Sequence, residues 1–362
     1  MPVTAAQLAL GANYQLNTYA QNEPVDQFTT ERPLTKWLIA NKKESSFGNG
    51  VFNEKIRFTN DSNYQNFTGD QQISYNRKDT ARLAPFYHFE SFDGFAFNET
   101  ELADNGIVLT DDKNATMSDA ERIQIVNKLE EAYYTLKDGY QEKFDLEMHR
   151  DGTASNISCP GLDFLVNTSP STQTVAGIDC SVAANAFWRN NVDTGINTGT
   201  AGNLLAHMEI LWRQCITYGK LGAPNYILAG SAFIDAYAKD VRSQGGTTMM
   251  VTQPAVGGFK LDGSRAGDAT PNNTGLYFKG VPIVWDPVFD TLDTLDAPAI
   301  PWTKRFYFLN SKALMLRPNR GRWMIKRNPP RVYDRHVFYF GLSSDYGFTI
   351  KKRNSCAVGS IA

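Results

Sequence analysis

The sequence predicts an α+β protein, part extended and part packed. Three observations predict it. A long amphipathic helical pattern runs over residues 118–150. Before it lie strand signals around a turn-rich tip, too polar to close a core of their own. After it, strand and helix signals alternate in the manner of a mixed α/β domain.

Composition sets the frame. The chain has 362 residues, 42% of them hydrophobic and 20% charged, which is enough apolar material for a sizeable core. A net charge of -2 gives the whole molecule no field that would recruit nucleic acid or a membrane surface, so any such role falls to local patches. Cys159, Cys180, Cys215 and Cys356 are far apart with no C-x-x-C pair, so they read as free thiols of a cytoplasmic protein. The start, "MPVTAAQLALGANYQL", lacks the basic region of a signal peptide. No apolar run is long enough to span a bilayer.

Residues 1–45 read as an extended polar arm carrying one short helix, "LTKWLIANK". Residues 46–100 follow as a long hairpin and a return strand: "GVFNEKIRF" alternates, "TNDSNYQNFTGD" is turn-rich, and "QQISYNR" and "APFYHFESF" read as further strands. Such a hairpin needs a neighbouring surface or its own domain to lean on.

In the spine helix, Ser118 and Glu121 form a capping box. Val126, Leu129, Tyr133, Leu136, Tyr140, Phe144 and Met148 fall on one stripe. Lys128, Glu130, Glu131, Lys137, Asp138, Glu142, Lys143, Asp145 and Glu147 are assigned to the opposite, charged side. A coiled coil is the alternative, but the stripe is short and Gly139 interrupts it.

Residues 151–200 are loop-rich; then come a helix ending at Gly219, the short strand "PNYILAG" and a helix capped by Ser231. Residues 244–275 read as a Gly- and Thr-rich loop. "YFKGVPIVW" (277–285) reads as one strand broken by Gly280 and Pro282, an edge or bulged strand. "RFYFLNSKALMLRP" and "GRWMIKRNPPRVYD" are strand-like, and the tail holds two strands and a frayed end.

The search for chemistry finds little. His88, His149, His207 and His336 share no metal-binding spacing. His207, beside Glu209, reads as a satisfied structural histidine. There is no nucleophile elbow, Walker loop or dinucleotide fingerprint, and Asp286, Asp290, Asp293 and Asp296 are spaced along a loop without the calcium-loop pattern. No cofactor is expected.

One charge feature stands out. Lys312, Arg317, Arg320, Arg322, Lys326, Arg327 and Arg331 occur with no acid among them. They form an inter-subunit strip, for which Trp323 suits a buried contact, a phosphate-facing strip that contacts DNA without reading sequence, or an ordinary solvated face.

The order of elements resembles the major capsid proteins of tailed bacteriophages, the Hong Kong 97 fold. "YILAGSAFIDAY", "GLYFKGVPIVWDPVF" and "RFYFLNSKALMLRPNRGRWM" are similar to the strand-and-helix texts of that family, in the same order. The resemblance implies an N-arm (1–45), an E-loop hairpin (46–100), a peripheral domain (101–150 and 311–362) and an axial domain (151–310) that contains the strand at 277–285. Phe52, Ile56, Phe58, Tyr64 and Phe67 would be the E-loop contacts. It implies many copies in pentamers and hexamers, closing an icosahedral shell around double-stranded DNA, with quasi-equivalent contacts. The implied partners are a scaffolding protein, since the arm is short for a built-in scaffold, a portal and a decoration protein, with no membrane. The subunit would be made in the bacterial cytoplasm and end in the virion. Some members cross-link through a Lys and an Asn; Lys55 and Lys78 carry no signature of that, so no cross-link is expected. The alternatives are an encapsulin-like nanocompartment shell, an α/β hydrolase or transferase, and a tail or decoration protein.

Overall fold

The computed structural model describes residues 30–45, 50–98, 100, 119–153, 155–243, 273–327 and 337–362. Residues 1–29 of the expected arm, the capping residue Ser118, most of the loop at 244–275, and residues 328–336 with Arg331 and His336 lie outside them. The side chains of Val126 and Leu129 do too.

The elements are, in order, α1 (Pro33–Ala40), β1 (Val51–Arg57), β2 (Ala81–Tyr87), β3 (Phe89–Asn98), α2 (Asp119–His149), α3 (Leu162–Leu165), β4 (Thr174–Val175), β5 (Ile178–Asp179) and β6 (Asn191–Ile196). Then come α4 (Asn203–Thr217), β7 (Tyr226–Ala229), α5 (Ser231–Ser243), β8 (Asn273–Phe278), β9 (Val281–Trp285) and α6 (Val288–Asp296). β10 (Arg305–Leu309), β11 (Leu314–Pro318), β12 (Ile325–Arg327), β13 (Val337–Ile350) and β14 (Ala357–Ile361) complete the chain. It divides into two compact units: Met1–Thr30 with Phe92–Gln141 and Met324–Ser343, and Glu31–Ser91 with Glu142–Trp323 and Ser344–Ala362.

The larger unit is built on a six-stranded mixed sheet of order β6-β14-β10-β7-β9-β8. β6–β14 and β7–β9 run parallel, and the other pairs antiparallel. All five residues of β10 are buried, as befits a central strand covered on both faces. Alternation sorts its aromatics. Phe306 and Phe308 join the core with Leu204, Met208, Leu211 and Trp212 of α4 and Phe233 and Tyr237 of α5. Tyr307 packs among Phe289 and Trp302. α4 forms because its apolar residues recur at helical spacing and one face finds this sheet.

Several expectations change here. The stretch 277–285 is not one broken strand but a hairpin of β8 and β9, pairing Phe278 with Val281. Its two turn residues, Lys279 (φ 49) and Gly280 (φ 82), take the left-handed conformation that matches strand twist. The expected frayed end is β14, buried throughout and paired with β10 and β6. Residues 357–361 therefore belong to the large sheet and not with the rest of 311–362. β6 arises from a stretch read as loop. Ser231 is the first residue of α5 and its hydroxyl donates to Asp290 at 2.8 Å, so it is not the cap. Gly230 precedes it, where a Cβ would lie 2.3 Å from the Thr303 carbonyl oxygen.

β1 and β2 pair antiparallel from Val51↔Tyr87 to Arg57↔Ala81. "QQISYNR" is not a strand: 58–80 holds no strand or helix, only a turn at Gly69–Asp70. Side chains tie its arms together instead: Asn63 Nδ2 donates to the Ser74 carbonyl at 2.5 Å and Gln65 Nε2 meets Ser74 Oγ at 2.6 Å. Polar amides that satisfy backbone groups in this way compete with a ladder.

In the smaller unit β12 pairs with β13, Ile325↔Ser343 to Arg327↔Gly341. Phe95 stacks on Phe340 at 5.4 Å and meets the edge of Phe97 at 5.2 Å. In the larger unit β11 pairs with the far end of β13, Leu314↔Ile350 to Pro318↔Tyr346. β3 also pairs with β13, so its residues leave the hairpin to which 46–100 was assigned. The α2 stripe is confirmed at Leu136, Tyr140, Phe144 and Met148, all buried, and the helix runs through Gly139 without a break. Asp145 breaks the expected pattern, because it is buried too.

Candidate functional site

A hydrolase or transferase would need an accessible reactive group. All four cysteines are free and buried. Burial pushes the thiols up: Cys159 well above its ordinary value, Cys215 to about 12 and Cys356 to about 11. Such thiols are poor nucleophiles. His207 Nδ1 lies 2.6 Å from Asp193 Oδ2, the satisfied role its sequence suggested.

His149 is the exception in chemistry but not in access. It is the last residue of α2, in the larger unit, and is fully buried. Nδ1 is 2.7 Å from the Asp145 carbonyl oxygen, and Nε2 is 2.8 Å from Asp286 Oδ2. Both partners only accept, so both ring nitrogens donate and the ring is an imidazolium. Burial alone would lower its pKa; the charges of Asp145 and Asp286, with the hydrogen bonds, overcome this and raise it to about 9. Burial lifts Asp145 to about 6, opposed by the His149 charge and aided by that of Asp286. Thr35 of α1 donates its hydroxyl to Asp145 Oδ1. Phe289 and Trp302 meet the ring edge-on at 5.4 and 6.3 Å. The site closes on all sides and offers no approach to a substrate. A metal ion would have to displace the Nε2–Asp286 bond, so the cluster reads as a clasp that fastens α1, the end of α2 and the β9–α6 junction together.

The other three acids of that stretch lie on α6, not on a loop. Asp290 accepts from Ser231. Asp293 accepts from the Thr303 backbone and hydroxyl. Asp296 forms a bidentate pair with Arg150 at 2.7 and 2.9 Å. They hold neighbouring segments and do not converge on a cation.

The basic strip separates into different environments. Arg317 is buried, its Nη2 2.8 Å from Glu54 Oε1 of β1 and its guanidinium over Phe52 at 4.4 Å. That charge is spent inside the chain. Lys312 and Arg320 are exposed. Arg322 lies 3.7 Å from Glu90 and 3.6 Å from Asp345. In the smaller unit Lys326 sits over Tyr133 at 4.0 Å and Arg327 donates to Ser343 Oγ at 2.8 Å. Trp323 is not left for a partner: it packs on Phe144 and Tyr346, with Lys42 over its ring at 5.8 Å.

The hairpin residues divide likewise. Ile56 is buried, Phe52 is covered by Arg317, and Phe58 stacks on Phe187 at 5.5 Å with Arg82 over it. Tyr64 (84% exposed) and Phe67 (61%) project from the loop. Sequence reading missed Tyr75, 91% exposed, and Ile73, because "QQISYNR" reads as a strand and the structure has none there. It also missed Glu54. The signal was present, since Glu54 shares the inward register of Ile56, and a charge there calls for a buried partner.

No family model and no curated protein matches this sequence. Solved structures do match along the full length. The chain superposes on the cyanophage A-1(L) capsid asymmetric unit with a TM-score of 0.58 at 19% identity, covering 94% of this chain and 97% of that one. The capsid of Myoviridae phage XM1 gives 0.55 at 10% identity, with 100% and 99% covered. A chain of Mycobacterium phage Bobi gives 0.50 at 11% identity, again with 100% and 99% covered. At such identities the likeness is one of fold, and it extends over nearly every element described above: this chain has the Hong Kong 97-type capsid fold.

Proposed function

We propose that the chain is the major capsid protein of a tailed phage, a subunit that assembles through pentamers and hexamers into an icosahedral shell around double-stranded DNA. The observation that carries this reading is the full-length likeness to capsid chains, with no long segment left over for a separate activity. The surface agrees with it. A 58–80 loop that exposes Tyr64, Phe67, Ile73 and Tyr75 leaves large apolar side chains in water, which a neighbouring subunit would cover. On this reading residues 1–45 are the N-arm, 46–88 the E-loop, and 151–310 with 357–361 the axial domain. The spine helix with β3, β11, β12 and β13 forms the peripheral domain. Exposed Lys312, Arg320, Lys326 and Arg327 are the candidates for DNA or subunit contact, joined by Arg331. The protein acts by packing and not by catalysis, as a component of the virion, with a scaffolding protein and a portal as assembly partners.

The test is electron microscopy of the purified chain, co-expressed with its scaffolding protein, together with its mass in solution. Closed polyhedral particles are expected. A stable monomer or dimer under those conditions overturns the reading. Particles filled with a protein cargo and never with DNA would replace the phage shell with a nanocompartment.

A further inference from the structure

A second cluster of ligating side chains lies in the larger unit, at the base of the hairpin. His88 links β2 to β3, Glu90 is the second residue of β3, and Asp345 lies in β13. One ligand atom from each falls within 4.8 Å of the others. We propose that His88, Glu90 and Asp345 bind one divalent first-row metal ion of the zinc or manganese class, which fastens the hairpin base to β13.

Asp345 carries the argument. It is 3% exposed. Its backbone is held at both ends, the N–H donating to the Arg322 carbonyl and the carbonyl accepting from the Asn319 N–H, each at 2.9 Å. Oδ2 accepts from Asn319 Nδ2 at 2.8 Å. Oδ1 is buried with no hydrogen-bond partner, which is costly for a carboxylate oxygen. It faces His88 Nε2 at 3.8 Å, too far for a hydrogen bond. Two ligands about 2.1 Å from a shared tetrahedral metal lie about 3.4 Å apart, so a shift of a few tenths of an ångström brings this pair to ligand spacing, and the exposed Glu90 side chain swings in to complete the set.

The imidazole is oriented for the task. His88 Nδ1 lies 2.9 Å from the Gly50 carbonyl oxygen, which only accepts, so Nδ1 carries the proton. Metal-binding imidazoles are commonly held by this kind of contact. Glu90, 71% exposed at its side chain, supplies a second carboxylate and leaves room for water ligands and an entry path. Arg322 reduces the local charge without filling the gap, since its Nη1 stands 3.7 Å from Glu90 and 3.6 Å from Asp345. Two carboxylates against one guanidinium leave a net negative charge for the ion. One imidazole with two carboxylates suits zinc or manganese better than calcium, which wants more oxygens.

The experiment is calorimetric titration of the EDTA-treated, dialysed full chain with zinc chloride, with melting followed in parallel. About one ion per chain is expected, together with a rise in Tm. His88→Gln and Glu90→Gln should each weaken zinc binding at least tenfold and abolish the rise. Asp193→Asn, beside the unrelated His207, should leave both unchanged. If His88→Gln fails to fold, Glu90→Gln alone decides, because its carboxylate is largely in water. Binding well below one ion per chain, or binding unchanged in Glu90→Gln, overturns the proposal.

Discussion

His149 is fully buried between two carboxylates. It is a cation with no exposure, kept charged by Asp145 one turn back on the same helix and by Asp286, 137 residues away. Removing one member of a buried pair leaves the other charges unmatched, so His149→Gln should cost about 3–5 kcal/mol in chemical denaturation. The pH dependence has a definite sign. A histidine raised from 6.5 to about 9 contributes stability that is complete below pH 6.5 and is lost as pH rises through about 9. Tm of the wild type should therefore fall between pH 7 and 10, and the same span should be flatter in His149→Gln. A wild-type profile no steeper than that of the variant would contradict the imidazolium. Part of this site was legible: Asp145 and His149 are spaced i,i+4 and border the apolar stripe. Asp286, 137 residues away, was not, because nothing local records which distant carboxylate a buried histidine meets.

At the scale of elements, β1 is fixed to β11 through Glu54 and Arg317. The pair is nearly dry, so Arg317→Met alone should destabilise by about 3–5 kcal/mol, whereas Glu54→Leu with Arg317→Met should recover much of that loss. Additive losses in the double variant would show that the ion pair is not the coupling. The same pair sets one member of the basic run apart from the rest. Seven cations along one segment look equivalent in sequence, but Arg317 is buried in β11 where Glu54 meets it, while Lys312 and Arg320 in the flanking turns are exposed. The β8–β9 hairpin has a similar lesson. Gly280 and Pro282 read as interruptions of one strand, and the left-handed backbone at Lys279 and Gly280 makes a turn there.

For the whole molecule, the exposed aromatics of the 58–80 loop separate folding from assembly. Tyr64→Ser with Tyr75→Ser removes side chains that are 84% and 91% exposed, so the subunit's own stability should change by no more than about 0.5 kcal/mol. On the proposed shell function, particle yield on co-expression with a scaffolding protein should fall at least tenfold, because these rings would be covered by another copy. Sedimentation of wild type and variant side by side checks this. Normal particles from the double variant would move the contact elsewhere on the loop.

What the sequence by itself determined is the architecture: the spine helix, the hairpin, the alternation of strand and helix after it, and their order. These follow from local periodicity, turn chemistry and the stretch of chain each needs, all written in neighbouring residues. What only the tertiary structure decided is pairing. The C-terminal strand takes a central place between β6 and β10. Asp145 and Arg317 are drawn inside, and Asp345 is buried with an oxygen facing His88. A charged residue reads the same in sequence whether it meets water or a counter-charge more than a hundred residues away, and only the packed chain brings that counter-charge within reach.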